Sequence, residues 1–315
     1  MIITITMSPT VDKSVTVGKL IPEKKMRCEN LVTEAGGGGI NVSKAIKKLG
    51  GESLAIFPSG LCNGKWLEEN LSEQGINFKS IAVAKETRSN FTVTETDSNG
   101  QYRFVMPGPS LSKQEIKIIT ETILSLITTP AIIVASGSLP TGVPDDFFAG
   151  LASAARNTGS KFIIDTSGKP LQLAAQEGVY LLKPNLGELS SLAGVEHLKP
   201  AEVEDAARAI IQKGHCEIVV VSMGALGAML VTQEICEMVA APVVEKLSTI
   251  GAGDSMVAGI IWMLEQKKSL SEMVRFGVAC GTAATMNAGS QLFDVADVHK
   301  LYAQISAENG IPAEK

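Results

Sequence analysis

Near-continuous apolar runs of strand length recur along this chain: "IITITM" (2 to 7), "SLAIF" (53 to 57), "AIIVAS" (131 to 136), "KFIIDT" (161 to 166), "VYLLK" (179 to 183) and "EIVVVS" (217 to 222). Runs without polar alternation are what strands covered on both faces require. Between them lie stretches of helical spacing, such as "LSKQEIKIITETILSLI" and "PAEVEDAARAIIQKG", with Ser112 or Pro200 near the start and Gly214 at the end, the terminal signals of helices. Strand and helix in alternation predict an α/β fold, a doubly wound and mostly parallel sheet whose ligands bind beyond the carboxyl ends of its strands. A length of 315 residues favours one main domain spanning 1–315, large enough to bury a sizeable core. The 45% hydrophobic content with only 4% aromatics and 30 glycines suits a sheet of Val, Ile, Ala and Leu.

Two segments break that rhythm. "SVTVGKLIPEKKMRCENLVTEA" (14 to 35) and "RSNFTVTETDSNGQYRFVM" (88 to 106) alternate apolar with polar residues, and the second contains Asn99-Gly100, a strong hairpin signal. They predict exposed strands of a small sheet, drawn from segments about 13–35 and 87–107, projecting from the main unit as a lid. A half-covered sheet needs a partner for its apolar face, so a homodimer through the lid sheets is expected.

The formal net charge of -5, with no long run of either sign, excludes a nucleic-acid surface, which needs clustered Lys and Arg. Cys28, Cys62, Cys216, Cys236 and Cys280 show no C-x-x-C spacing and imply neither a disulfide framework nor a zinc site. The opening "MIITITMSPT" has no basic leader region and its apolar run is too short to span a bilayer. A soluble, cytoplasmic protein is expected, without a membrane partner.

Glycine punctuates the chain twice. "EAGGGGINVSKAIKKLG" runs Gly36 to Gly39 into a helix expected to begin near Ile40. Such glycines let the backbone approach a ligand and aim amide N–H groups at its oxygens; a flexible turn between lid strand and helix is the plainer alternative. A dinucleotide fingerprint is disfavoured, because G-x-G-x-x-G is missing and the cluster does not follow the first buried strand. "TIGAGDSMVAGIIWMLEQ" (249 to 266) opens an amphipathic helix, where amides around Ala252 to Asp254 would be unsatisfied donors forming an anion hole. Asp254 is then either an N-cap or the carboxylate that takes the proton from a hydroxyl attacking a phosphate.

Hydrolytic readings fit less well. "GDSMV" has Val257 where a nucleophile elbow needs its second glycine, and His197, His215 and His299 sit in polar helix or turn contexts. "GLCNGKW" (60 to 66) lacks both the four-residue gap and the Ser or Thr after Lys65 that make a P-loop. "KPNLGELS" places Lys183, Asn185 and Glu188 just after a buried strand. Such groups orient Mg²⁺ and phosphates, Glu188 acting through water. Asn185 with Glu188 is also a capping box, and the two readings are compatible.

In order and spacing, "GGGGINVSKAIKKLGG", "ASGSLPTGVP", "KPNLGE" and "STIGAGDSMVAG" resemble the signatures of the PfkB, or ribokinase-like, carbohydrate kinases, and the likeness continues to "FGVACGTAATMNAG" (276 to 289). "PEKKMRC", "GGGGIN" and "GQYRFVMPG" are similar to the 6-phosphofructokinases of this family. The 1-phosphofructokinases and tagatose-6-phosphate kinases usually carry a lysine where this chain has Gly38. The resemblance implies ATP-dependent phosphorylation of fructose 6-phosphate at O1, with those two activities as the alternative.

It further implies that Asp254 is the general base, with Gly251, Ala252 and Gly253 as the γ-phosphate anion hole. Asp12, Gly37, Gly38, Gly39 and Asn41 would hold the sugar hydroxyls, and Ser138 would line the sugar pocket. Arg88 would clamp the sugar phosphate, a role suited to its planar fork of donors, with Lys25 and Arg27 adding charge. Lys183, Asn185, Ser222, Gly224 and Gly227 fall on the nucleotide side, and Glu188 on the Mg²⁺ motif. Ser248, Ile250, Ala284, Asn287 and Gly289 lie where many members bind a monovalent cation such as K⁺. Gln291 and Gly187 replace basic residues of close relatives, a departure that tells against a regulatory nucleotide site.

Overall fold

The first apolar run becomes strand β1 (Ile2–Ile5), every residue of it buried. In the computed structural model, which describes residues 1–287, 289 and 291–308, the reason is geometric. Successive strand side chains point to opposite faces. Ile3 and Ile5 enter one core with Ile133, Ile164 and Leu182, while Ile2 enters a second with Val134, Ile163 and Leu181. A sheet with a core on each face favours apolar residues throughout, hence the near-continuous runs; Thr4, buried within β1, is accommodated by a hydrogen bond with Ser43 Oγ at 2.8 Å.

From β1 the chain passes through β2 (Thr10–Val17) and β3 (Glu29–Gly36) into helix α1 (Gly38–Lys48). It continues as β4 (Ser53–Gly60), α2 (Leu61–Glu73), β5 (Asn77–Val83), β6 (Arg88–Glu95) and β7 (Gly100–Phe104). Next come α3 (Lys113–Leu126), β8 (Ile132–Ser136), α4 (Phe147–Asn157), β9 (Lys161–Asp165), α5 (Gly168–Glu177), β10 (Val179–Leu182) and α6 (Leu186–Ala193). The C-terminal part contains α7 (Val203–Gln212), β11 (Cys216–Ser222), β12 (Ala228–Val231), β13 (Cys236–Val239), α8 (Ala252–Glu265), α9 (Leu270–Thr285) and α10 (Val295–Glu308).

The main sheet has the order β13-β12-β11-β10-β9-β8-β1-β4-β5. From β11 through β5 its pairings are parallel, and β12 and β13 close one edge antiparallel. Strand β1 lies between β8 and β4, so successive connections leave it on opposite sides. That reversal opens a crevice beyond the carboxyl ends of β1 and β8, the place where doubly wound sheets bind ligands.

The second sheet, β3-β2-β6-β7, joins β2 to β6 in parallel and pairs the others antiparallel. Asn99, at φ 58, makes the turn into β7. Val15, Val17 and Val93 bury one patch of the lid with Leu20, Met26 and Phe91 packed against it. Leu31, Tyr102 and Phe104 remain 65%, 45% and 48% exposed.

The expected boundaries shift in places. Helix α1 starts at Gly38 rather than Ile40, because the glycine turn ends at Gly37, two residues earlier. Strand β2 starts at Thr10, which puts Asp12 on the lid sheet rather than before it. Strands β5 and β13 had no apolar run to announce them; β5 alternates buried and exposed at the sheet edge, and β13 is largely exposed, while β12 is the short apolar run Ala228–Val231 between β11 and β13. Residues 288, 290 and 309–315 of the single domain expected over 1–315 lie outside the described residues.

Candidate active site

Gly37, at φ 112, turns β3 into α1, a backbone region in which side chains are rare. A Cβ at Gly38 would stand 2.3 Å from Ser136 Oγ, so the start of α1 presses against the end of β8. One turn along, Asn41 donates from Nδ2 to Asp254 Oδ2 at 2.9 Å, and Ser136 Oγ donates to Oδ1 at 3.4 Å. Three remote segments thus converge on one carboxylate.

Asp254 is not an N-cap. Gly251 holds that position in α8 at φ 72, with no side chain capping the first turn. The carboxylate turns instead to Asn41 and Ser136. Burial, with the Asp165 carboxylate as a second cause, pushes the Asp254 carboxyl up to about 7, against the hydrogen bonds of Asn41 and Ser136 and the charge of Lys183. A carboxylate poised near neutrality is matched to proton transfer.

Asp254 shares a cavity of about 210 Å³ with Ser136, Ser138, Asp165 and Glu188. Glu188 accepts from the backbone N–H of Asn185 at 2.9 Å while Asn185 Oδ1 accepts from Glu188 N at 2.9 Å, so the capping box forms beside the site. Burial raises the Glu188 carboxyl, and Asn185's N–H opposes that. Lys183 is buried and pairs with Asp165 at 3.1 Å. Burial works against its charge, but Asp165 holds its ammonium above the ordinary value.

Across α8 lies a cavity of about 670 Å³, lined by Asn185, Ser222, Gly224 and Gly227 on one side and by Ala252 and Gly253 on the other. A parallel bridge between Asn185 and Ser222 sets the first two side by side. Val243, Val244, Val278 and Thr282 add apolar wall. Polar loops at one end and an apolar slot at the other suit a phosphorylated heterocycle.

On the lid side a third cavity, of about 160 Å³, is lined by Asp12, Asn90, Arg103, Ile250 and Gly289. Asn90 donates from Nδ2 to Asp12 Oδ1 at 3.0 Å. Burial raises the Asp12 carboxyl, opposed by Asn90, Arg88 and Lys44 among others. Arg88, opposite Thr10 in register, donates to the carbonyls of Ser8 at 3.0 Å and Met106 at 3.1 Å, and its buried Nε has no hydrogen-bond partner. Lys25 and Arg27 stand exposed in the β2–β3 connection and line none of these three cavities. Leu247 and Ser248 donate to the Thr285 carbonyl at 2.8 and 3.2 Å, and Asn287 N to that of Ala284 at 3.3 Å, which brings the Ser248–Ile250 loop against the end of α9.

The sequence profile described as "pfkB family carbohydrate kinase" matches residues 2–296. The chain belongs to that family. It is 43% identical over 306 residues to the ATP-dependent 6-phosphofructokinase isozyme 2 of Escherichia coli (strain K12), covering 97% of this chain and 99% of the relative. A crystal structure of phosphofructokinase-2 from Escherichia coli in complex with potassium superposes with a TM-score of 0.93 at 43% identity, over 97% of this chain and 99% of that one. A 1-phosphofructokinase of Borreliella burgdorferi is more distant, 30% identical over 314 residues, covering 98% of this chain and 99% of that relative.

The kinase carries site residues that the motifs did not signal. Asp165 ends an apolar strand, where its position at a carboxyl terminus was the available hint. Asn90 lies within a lid strand without a motif, Arg103 stands inside "GQYRFVMPG" with no role implied for it, and the apolar wall of the cavity across α8 comes from a loop and a helix remote in sequence. Replacing Lys183 with methionine leaves the half-buried Asp165 carboxylate without its cation. The expected loss of stability is about 3 kcal/mol, read by urea unfolding. Because the Lys183 charge holds the Asp254 carboxyl down, the acid limb of turnover should move to higher pH. An unmoved limb would separate Lys183 from the Asp254 carboxyl.

Proposed function

We propose that this kinase transfers the γ-phosphoryl group of ATP to O1 of fructose 6-phosphate, giving fructose 1,6-bisphosphate and ADP. The observation that carries the reading is Asp254 itself, a carboxylate poised near neutrality in the first turn of α8. Both neighbouring cavities reach this helix start, the nucleotide-side one through Ala252 and Gly253 and the sugar-side one through Ile250. In this arrangement O1 attacks the γ-phosphorus in line, the bond from γ-phosphorus to the bridging oxygen breaks, and Asp254 takes the O1 proton. Gly251, Ala252 and Gly253 receive the transferring oxygens on backbone amides. Asp12, Gly37, Gly38, Gly39 and Asn41 orient the sugar, with Ser138 at its edge, and Arg88, Lys25 and Arg27 take its phosphate. Asn185, Ser222, Gly224 and Gly227 hold the nucleotide, and Lys183 acts from behind them through Asp165.

The half-buried carboxylates of Asp165 and Glu188 on one small cavity are hard oxygen donors of the kind Mg²⁺ takes while keeping several waters. Among the described residues no trio of His, Cys, Asp or Glu is grouped to chelate an ion directly, so Glu188 would act through water. When bound, that ion supplies neutralisation of the β- and γ-phosphate oxygens. Ser248, Ile250, Ala284, Asn287 and Gly289 would offer backbone oxygens to K⁺.

The 6-phosphofructokinase reading is favoured over the 1-phosphofructokinase and tagatose-6-phosphate alternatives by the closer relatives and by Gly38, whose Cβ position is filled by Ser136. A coupled ADP-release assay across fructose 6-phosphate, fructose 1-phosphate, tagatose 6-phosphate and unphosphorylated fructose tests it. Fructose 6-phosphate should lead in kcat/KM by at least about tenfold, about 1.4 kcal/mol; a lead for fructose 1-phosphate would overturn the reading. The exposed apolar residues Leu31, Tyr102 and Phe104 support pairing of two chains through their lids, within a single domain of each chain. Leu31→Glu should then give a monomer in sedimentation. Among the described residues no helix is long and apolar enough to cross a membrane, and we place the enzyme in the cytoplasm.

A further inference from the structure

Helix α1 carries three lysines, and they are treated differently. Lys47 pairs with Glu52 at 2.7 Å on the surface, and Lys48 reaches the Phe293 carbonyl at 3.0 Å. Lys44 turns inward and is 6% exposed. Its Nζ donates to the carbonyl of Ala35 at 2.9 Å, on the last turn of lid strand before the glycine cluster. Its neighbours on the helix, Ile40, Val42, Ala45 and Ile46, are fully buried apolar residues, so packing alone would be served by methionine or leucine. A buried ammonium is costly unless opposite charge compensates it, and none of the roles assigned above uses this one.

The compensating charges belong to the site. Burial lowers the Lys44 ammonium from its ordinary value, while Glu34, Asp12 and Asp254 act to raise it and Lys48 acts with burial. Asp12 and Glu34 are cross-strand partners on β2 and β3, two carboxylates directly opposite one another. A Cβ on Gly36 would meet the Asp12 carboxylate, which therefore lies over the turn that Lys44 ties down. We propose that Lys44 is a positioning residue for the sugar half of the site: its ammonium fixes the Ala35 carbonyl at the root of the glycine turn and supplies the buried positive charge facing Asp12, Glu34 and Asp254. It touches neither substrate and acts through Asp12 and the turn.

The inference rests on the sugar-phosphate reading above, and the two can fail separately. The groups that face Asp12 are Glu34 from β3, Arg88 and Asn90 from β6, Arg103 across the cavity and Lys44 from α1. Removing the Lys44 charge leaves burial less opposed, so Asp12 should hold its proton to higher pH. Sugar binding that needs an ionised Asp12 should then be lost at higher pH than in the natural chain.

Calorimetric binding of fructose 6-phosphate and of ADP as a function of pH, with melting temperature alongside, tests this on Lys44→Gln, Lys44→Met and Lys44→Arg. Lys44→Gln keeps a donor for Ala35 but no charge, and it carries the test if Lys44→Met does not fold. On the acid limb of its binding curve the Gln variant should bind the sugar phosphate severalfold more weakly than the natural chain at the same pH, with ADP affinity unchanged. Its binding–pH curve should move to the alkaline side, and Arg should restore both. An unmoved curve in the Gln variant, or equal losses for sugar and ADP, would overturn the role of Lys44. Failure of the natural chain itself to bind fructose 6-phosphate would instead overturn the substrate reading.

Discussion

Replacing Asp254 with asparagine lowers turnover by about 10³-fold, within the range a general base supplies, while fructose 6-phosphate binding by calorimetry changes little. The amide keeps a hydrogen-bonding contact with Ser136 yet cannot accept the O1 proton. Retention of turnover within about tenfold of the natural enzyme would remove Asp254 from the role of base. The natural enzyme's rate should rise through neutrality, because the Asp254 carboxyl lies at about 7 and the base must be ionised. The acid limb should be missing from the variant's residual rate.

The same group has a signed effect on stability. Its folded value of about 7 stands above the ordinary 3.8, so the folded chain holds the proton more tightly than the unfolded one. The stability this confers is complete below the ordinary carboxylate value and is lost as pH rises through neutrality. Above neutrality the Asn variant, with no buried charge, should therefore melt about 2–4 °C higher than the natural enzyme. A lower melting temperature there would contradict the raised pKa.

Replacing Arg88 with alanine raises KM for fructose 6-phosphate by about 10- to 100-fold, the worth of a charge-assisted hydrogen bond or two, with KM for ATP within about twofold. Two of the guanidinium nitrogens already hold the carbonyls of Ser8 and Met106, so the arginine is fixed in orientation before substrate arrives. Its unpartnered buried Nε keeps a donor in reserve. Lysine at this position should recover only part of the loss, since a point charge cannot reproduce the planar fork. An equal rise in both KM values would count against the sugar-phosphate clamp. Alanine also frees the two carbonyls, and a modest fall in melting temperature is expected with it.

Much of this protein was legible in one dimension. The parallel sheet could be read because strands buried on both faces leave near-continuous apolar runs, as Ile2 to Ile5 with its one buried threonine shows. Strands β5 and β13 were not legible, since an edge strand alternates or is exposed and imitates a loop. The capping box at Asn185 formed as its spacing required, because both partners lie within one helical turn. Asp254 was ambiguous for the same local reason. Its sequence neighbours permit a capping role, and only contacts with Asn41 and Ser136, 213 and 118 residues away, exclude it.

Sequence alone determined the element types, the two glycine-flanked helix starts and the residue types available for phosphoryl transfer. Those depend on spacing within a turn, which the chain carries locally. Tertiary structure alone decided which charges confront one another. It placed Asp165 behind Asp254, Lys44 beneath Asp12, and a valine-lined slot beside the glycine turn. A pKa and a binding surface arise from burial and from distances across the sheet's switch point, and neither quantity exists until the strands are in register.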